Sequence, residues 1–184
     1  MTRAEAAQIF YNLLLDKSVP ANSDFDDVGH DDWYYNSVKT FANIGMIKGK
    51  DGNLFDPDGE ITRAEFTAIA MRFVNVDVDG TEIFDDVPKE HRAAEIISDA
   101  AALGWITGNG DGAFDPDKPI TRAAVVRIVN NMLAGKADAE YLRSHSDSIN
   151  LFADVSDLDW FYGDVTEATN AHDYEKNGDS GIWK

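Results

Sequence analysis

The stretch FDPDGEITRAE at residues 55–65 returns as FDPDKPITRAA at residues 114–124, a shift of 59 positions. The same shift places FDDV at residues 25–28 on FDDV at residues 84–87 without a gap. A fixed period of this kind is the signature of a repeat architecture. The sequence therefore predicts two full copies of one structural unit.

Two incomplete copies flank the full ones. TRAE at residues 2–5 matches TRAE at residues 62–65, and FADV at residues 152–155 matches FDDV at residues 25–28. We therefore divide one domain into a back half with a linker, two full repeats, a second linker, and a front half with a tail. These segments are residues 1–24, 25–83, 84–133, 134–151 and 152–184.

The sequence pattern of each full copy predicts a helix, a loop and a second helix. The first helix is expected over residues 32–44, where apolar residues recur on one face and Gly45 follows as a C-terminal cap. The second helix opens with Thr62 and Glu65, which have the spacing of a capping box. The prediction is an all-α fold of helix-loop-helix repeats.

The repeats are expected to close on one another. One helical hairpin cannot bury its own apolar stripe, so neighbouring units must pack together. A half unit at each end favours a ring in which residues 152–168 lie beside residues 2–14. Residues 134–150 are polar and only partly helical in pattern, as expected of a linker.

Composition limits the possible partners. The 184 residues carry a net charge of −18, which argues against nucleic acid, because phosphate backbones bind to basic surfaces. A hydrophobic content of 43% is nevertheless too high for a disordered acidic tail. No apolar stretch approaches the roughly 20 residues of a membrane span, so membrane insertion is not expected. A helix cap directly after Met1 suggests a fragment of a longer protein.

Catalysis has little support in the sequence. The chain has no cysteine, and its histidines do not share a repeat position. No nucleophile elbow or phosphate-binding glycine loop is present. We therefore expect no enzyme, with a glycosidase as the disfavoured alternative because carboxylates are abundant.

Calcium is the main cofactor to consider. Residues 56–61 resemble the middle of an EF-hand loop, with Glu65 at its last position. However, Leu54 occupies the first position, and the second copy replaces the glycine with Lys118 and the glutamate with Ala124. We expect no cofactor, although a looser calcium site among the loop aspartates stays open.

Three arginines mark the start of the second helix in successive copies. Arg3, Arg63 and Arg122 lie next to the cap, where the helix dipole disfavours a cation by a few tenths to about 1 kcal/mol. A guanidinium beside free backbone N–H groups suits a carboxylate or a phosphate. The repeated placement predicts anion binding, and the alternative is an ion pair from each arginine to a nearby loop aspartate.

Trp33 and Trp160 occupy matching positions at the start of the first helix, beside acidic residues. An indole there either anchors the core or offers a platform for the apolar face of a sugar. The second copy has Arg92 instead, so the units are unequal.

The combined pattern resembles the S-layer homology domain. It comprises FDDV, a tryptophan, a helix ending in glycine, a loop with FDP, and ITRAE. The resemblance implies a pseudo-threefold spindle around a central three-helix bundle. It also implies a bacterial, extracellular module that anchors proteins to the cell wall. The ligand would be secondary cell-wall polysaccharide bearing carboxylate or ketal-pyruvate groups, bound in grooves between repeats.

The resemblance assigns ligand binding to one arginine per copy and to the tryptophans, namely Arg3, Arg63, Arg122, Trp33 and Trp160. Departures from the family pattern are Ala124 for the glutamate, Arg92 for the tryptophan, and acidic Asp56 and Asp115 where a basic residue is common. We therefore expect weak or absent binding at a groove that involves Arg92 or the third cap. The competing interpretation is a structural or calcium-responsive domain that contacts surface-layer proteins.

Overall fold

The computed structural model describes residues 1–18, 24–76, 78–81, 84–177 and 180–183. These residues form seven α-helices, one short 3-10 helix and a C-terminal β-hairpin. The helices are α1 (Arg3–Leu13), α2 (Tyr35–Asn43), α3 (Arg63–Val74), α4 (Ala94–Ala102), α5 (Arg122–Met132), α6 (Ala139–Ser144) and α7 (Tyr162–Thr169), and the 3-10 helix is Ser146–Ser148.

The hairpin consists of β1 (Tyr174–Asn177) and β2 (Ser180–Trp183), which pair antiparallel with Tyr174 opposite Trp183. The repeats confirm the predicted all-α class. The sequence predicts only a tail in this segment, so the hairpin is an addition to the predicted fold.

The predicted capping boxes are present at α1 and α3. In α3, the Thr62 hydroxyl accepts from the Glu65 N–H at 3.2 Å, and the Thr62 N–H donates to the Glu65 carboxylate at 3.0 Å. The start of α5 keeps half of this arrangement. Thr121 accepts from the Ala124 N–H at 3.2 Å, and the alanine has no carboxylate to return the bond.

The first helix of each repeat ends as predicted but begins later. Gly45 and Gly104 adopt φ values of 75° and 71°, the left-handed geometry that terminates a helix. In the first repeat, α2 begins at Tyr35 because the Asp32 carboxylate accepts the Gly29 N–H at 2.7 Å and holds the preceding residues in a turn.

The chain comprises two compact units, residues 1–102 with 108–120 and residues 103–107 with 121–184. In unit 1, α1 packs on α2 and α3 packs on α4. Its core contains the rings of Phe10, Phe41 and Phe66, with centroids 6.5 Å and 5.2 Å from that of Phe10.

In unit 2, α5 packs on α7. The linker contributes α6, whose Leu142 is buried, which confirms its partly helical character. Closure of the repeats into a ring stays a prediction. None of the helices in the described ranges combines the length and apolar character that crossing a membrane requires.

The loop between the two helices of each repeat is anchored by its phenylalanine, as predicted. Phe55 and Phe114 are fully buried. Gly49 permits this docking in the first loop, because a Cβ there would come within 2.5 Å of the Phe25 ring. The anchored loop places its exposed lysines beside α1 and α3 in unit 1.

Candidate ligand-binding groove

Unit 1 contains a groove of about 460 Å³. Four segments form it: the start of α1, the loop after α2, one face of α3, and the start of α4 with the residues before it. The lining residues are Arg3, Met46, Ile47, Lys48, Gly49, Lys50, Phe55, Ile61, Ala64, Glu65, Ala68, Ile69, Arg72, Arg92, Ala93 and Ile96.

The floor of the groove is apolar. Ile47, Phe55, Ile61 and Ile69 are buried core side chains that line the bottom of the groove. Ala64 and Ala68 of α3 and Ala93, which directly precedes α4, complete this surface. A surface of this kind excludes water from the face of a ligand and favours contact with the C–H face of a sugar ring.

The rim of the groove is basic. Five of the 16 basic residues in the chain line it, and Glu65 is the one acidic lining residue within the described part. Charges lining one cleft raise the local concentration of oppositely charged ligands. The groove is therefore a cationic site on a protein whose net charge is −18.

Arg3 is held rigidly at one edge of the groove. Its Nε donates to the Phe55 carbonyl at 2.8 Å, and Nη2 donates to the Lys48 carbonyl at 2.8 Å. The guanidinium also lies 4.9 Å from the Phe55 ring centroid and 3.7 Å from the Glu65 carboxylate. Its main partners are thus loop carbonyls, and not a loop aspartate.

The other cations are more accessible. Lys48 is exposed, and its ammonium makes no hydrogen bond to any residue in the described ranges. Arg92 is also exposed and lies 4.0 Å from the Asp117 carboxylate, at the limit of an ion pair. Lys48 and Arg92 are therefore the cations best placed to receive an anionic group.

Lys50 and Arg72 are partly engaged. Lys50 bonds to Asp56, and this contact, reinforced by the charge of Arg3, lowers the pKa of the Asp56 carboxyl. Arg72 donates to the Met46 carbonyl at 3.2 Å. Asp56 therefore neutralises part of the charge of Lys50 at this end of the groove.

Arg63 repeats the structural role of Arg3 in the second copy. Its Nε donates to the Phe114 carbonyl at 2.8 Å, and its guanidinium lies 4.5 Å from the Phe114 ring centroid. Burial lowers the pKa of Arg63, while the charges of Asp115 and Asp86 act in the opposite direction. The side chain stays charged, since an arginine pKa lies far above neutrality.

Trp33 and Trp160 are 62% and 56% exposed, so the interpretation of these indoles as core anchors is wrong. Each lies edge-on to the aromatic residue that follows it. Arg127 stacks on Trp160 with its guanidinium carbon 4.2 Å from the ring centroid. Trp105 of unit 2, in contrast, is buried, and no signal in the sequence distinguished it.

The repeats match a known protein family in sequence. The S-layer homology domain matches residues 24–67 and again residues 83–126. The chain belongs to the S-layer homology family. Its two matched segments correspond to the two full repeats, and each covers one FDDV motif and the following ITRA motif.

Relatives of this S-layer homology chain include two proteins of Acetivibrio thermocellus. It is 34% identical to cell surface glycoprotein 1 over 95% of the chain and 8% of the relative. It is 31% identical to a cellulosome-anchoring protein over 97% of the chain and 41% of the relative.

A third relative is the surface-layer 125 kDa protein of Lysinibacillus sphaericus, 32% identical over 66% of the chain and 11% of the relative. The chain thus spans less than half the length of each of these relatives. Family and relatives together indicate a location at the cell surface or in the cell wall.

The groove contains one of the five residues that the sequence analysis selected. Arg3 lines it, whereas Arg63, Arg122, Trp33 and Trp160 are not among its described lining residues. Sequence reasoning missed Lys48, Lys50 and Arg72. A signal was present in the sequence, because these three basic residues align with uncharged residues of the second S-layer homology repeat. The aligned residues are Thr107, Asn109 and Asn131.

The residues of the EF-hand-like segment have other partners. Asp56 bonds to Lys50, and Glu65 completes the capping box with Thr62. In the part of the chain that the structure describes, no three histidine or carboxylate side chains converge as a metal site would require.

Proposed function

We propose that this S-layer homology chain is a non-catalytic anchoring module that binds an anionic wall polysaccharide in the groove of unit 1. The observation that carries the proposal is the clustering of five basic side chains over an apolar floor. An acidic protein that concentrates its cations in one cleft is suited to a small number of negative charges on a neutral scaffold.

The groove favours a sugar that bears a carboxylate. The exposed ammonium of Lys48 and guanidinium of Arg92 would pair with the anionic group, and the arginine fork suits the two carboxylate oxygens. The buried side chains of the floor would contact the sugar ring. Carboxylate or ketal-pyruvate groups on secondary cell-wall polysaccharide, the ligand that the family resemblance implies, have this chemistry.

Arg92 changes an expectation drawn from the sequence. Its replacement of the family tryptophan predicted a weakened groove, because a stacking platform is lost. The structure places Arg92 on the rim among four other cations. We infer that Arg92 contributes a positive charge to ligand binding where the family tryptophan would contribute a stacking surface. Trp33 and Trp160, exposed elsewhere, offer additional stacking surfaces for the same polymer.

A wall-sedimentation experiment tests this function. Purified bacterial walls are mixed with the wild-type chain, with Lys48→Ala plus Arg92→Ala, and with Lys89→Ala plus Arg143→Ala. The control pair removes the same charge at exposed positions outside the described groove lining. Exposed substitutions of this kind change stability by about 0.5 kcal/mol or less, so every variant should fold.

We expect the wild type and the control pair to sediment with the walls and the groove pair to remain in solution. Equal sedimentation of the groove pair and the wild type would refute the groove as the binding site. If none of the three proteins sedimented, wall binding itself would be refuted, and the structural surface-layer interpretation would replace it.

A further inference from the structure

Each full repeat holds its FDPD loop in a seat made from its own FDDV motif and the preceding helix start. In the first repeat, the Phe25 and Phe55 rings lie 5.7 Å apart. The Asp27 carboxylate accepts the N–H groups of Phe55 and Asp56, both at 2.7 Å. The FDDV motif thus holds the loop by one ring contact and two charged hydrogen bonds.

The helix start completes the seat. Besides the bond from the Arg3 side chain to the Phe55 carbonyl, the backbone N–H groups of Arg3 and Ala4 donate to the carbonyls of Gly59 and Pro57 at 2.9 Å and 3.0 Å. These bonds satisfy donors that a helix start otherwise leaves free. We define the loop seat as the phenylalanine and second aspartate of FDDV with the helix-start arginine.

The second repeat reproduces this geometry. The Phe84 and Phe114 rings lie 5.4 Å apart, and the Asp86 carboxylate accepts the N–H groups of Phe114 and Asp115 at 2.7 Å each. Arg63 donates to the Phe114 carbonyl at 2.8 Å, the same distance as in the first repeat. Two of the three loop seats are therefore filled in the same way.

In unit 2, the FADV turn of the third loop seat keeps the backbone hydrogen bonds of the first two repeats. The Val155 N–H donates to the Phe152 carbonyl at 3.1 Å, against 3.2 Å and 3.0 Å for the equivalent bonds of the first two repeats. The Ser156 N–H donates to the Asp159 carboxylate at 2.7 Å, as Gly29 does to Asp32. The FADV turn therefore has the same hydrogen bonds as the FDDV turns of the filled seats.

The helices that carry this seat also pack together. The Arg127 Nε donates to the Asp164 carboxylate at 2.8 Å, and the Asn130 side chain donates to the Asp164 carbonyl at 2.8 Å. These contacts join α5, which begins with Arg122, to α7, which follows the FADV turn. The pairing corresponds to α1 with α2 and to α3 with α4.

No loop fills the third seat within the described residues. Phe152 is 53% exposed, whereas its counterpart Phe84 is 5% exposed. Asp154 and Arg122 are both exposed, and neither forms a hydrogen bond or an ion pair with any residue in the described part of the chain. The seat thus presents an open ring, a free carboxylate and a free guanidinium.

We propose that this open seat binds an FDPD loop donated by another S-layer homology chain. The filled seats show the chemistry of the occupant: a ring for Phe152, two backbone N–H groups for Asp154, and a carbonyl for Arg122. The charges are complementary as well, because an acidic loop would face the cationic start of α5. A suitable donor is a repeat that has no preceding helix-start arginine to hold its loop.

The interaction can be tested with a loop peptide. A synthetic peptide of residues 49–62, GKDGNLFDPDGEIT, is titrated into the ¹⁵N-labelled chain, and amide chemical shifts are followed. The control peptide carries Phe55→Ala. A free peptide loses conformational entropy on binding, so the titration extends to millimolar concentrations. We expect saturable shifts at Arg122 and at residues 152–155, and none with the control peptide.

Protein variants complete the test. Arg122→Ala and Phe152→Ala should each weaken peptide binding by about tenfold, the size of effect expected for a central interface residue. Leu158→Ala, in the same unit and 92% exposed, should bind as the wild type does. The proposal is refuted if the peptide causes no shifts, or if binding is unchanged by Arg122→Ala. It is also refuted if purified wall polymer saturates these amides and the peptide does not.

Discussion

Asp27→Ala should destabilise the first repeat because its carboxylate holds the loop that forms one wall of the groove. The carboxylate accepts two backbone N–H groups at 2.7 Å each. Hydrogen bonds to a charged group contribute about 1.5 to 3 kcal/mol each, with lower values where water competes. Because Asp27 is half-buried, we expect a loss of about 2 to 4 kcal/mol in the free energy of unfolding.

Asp154→Ala is the matched control. Asp154 occupies the same motif position in the third repeat, where no loop is docked within the described residues. Removing its exposed carboxylate should change the free energy of unfolding by about 0.5 kcal/mol or less. Asp27→Asn keeps one acceptor oxygen and should recover part of the loss.

Urea unfolding followed by far-ultraviolet circular dichroism measures the effect. A loss of about 3 kcal/mol moves the midpoint of the transition by roughly 1 to 2 M urea at a typical slope. Equal midpoints for Asp27→Ala and Asp154→Ala would refute the role of the FDDV carboxylate in holding the loop.

Three further outcomes are expected. Arg63→Ala should lower the free energy of unfolding by about 2 to 4 kcal/mol in urea titrations, through loss of a charged hydrogen bond and a ring contact, whereas exposed Arg122→Ala should leave it nearly unchanged. The pKa of Asp115 lies below its ordinary value of 3.8, mainly because of the hydrogen bond from Lys118, with smaller effects of Asn109 and Arg63. The Asp115 carboxylate therefore stabilises the fold above that pH. This contribution is lost as the pH falls through the lowered pKa. Asp115→Asn should therefore reduce the fall in melting temperature as the pH is lowered. An unchanged dependence of the melting temperature on acidic pH would contradict this. Calcium titrated into the chain should give no saturable heat in calorimetry, and a saturable heat would favour the cation-responsive alternative.

Local sequence signals predicted the repeat unit well, because the interactions behind them are local. Thr62 and Glu65 satisfy each other's backbone N–H groups over three residues, and Gly45 terminates a helix through its own φ angle. The buried loop anchor Phe55 was also predictable, because a single aromatic residue in a polar loop has few other places to pack. The cap and the helix end depend on neighbours in the sequence, whereas the ring that receives Phe55, Phe25, lies 30 positions away.

The groove was not predictable in this way. Lys48 and Arg92 belong to different repeats and lie 44 positions apart, yet the loop after α2 and the residues before α4 line the same groove. The same repeat position serves different roles, since Arg3 and Arg63 are bound to loop carbonyls while Arg122 is exposed. A motif identifies equivalent residues, but their partners depend on whether a loop reaches them.

The most direct test of the proposed function is calorimetric titration of purified wall polysaccharide into the wild type and into Lys48→Ala plus Arg92→Ala. We expect saturable binding that weakens as salt is raised, because screening reduces the attraction between exposed charges. Loss of two exposed ion pairs worth about 0.7 kcal/mol each would weaken binding about tenfold. Equal affinity of the two proteins, or binding that is insensitive to salt, would contradict a cationic groove as the anchoring site.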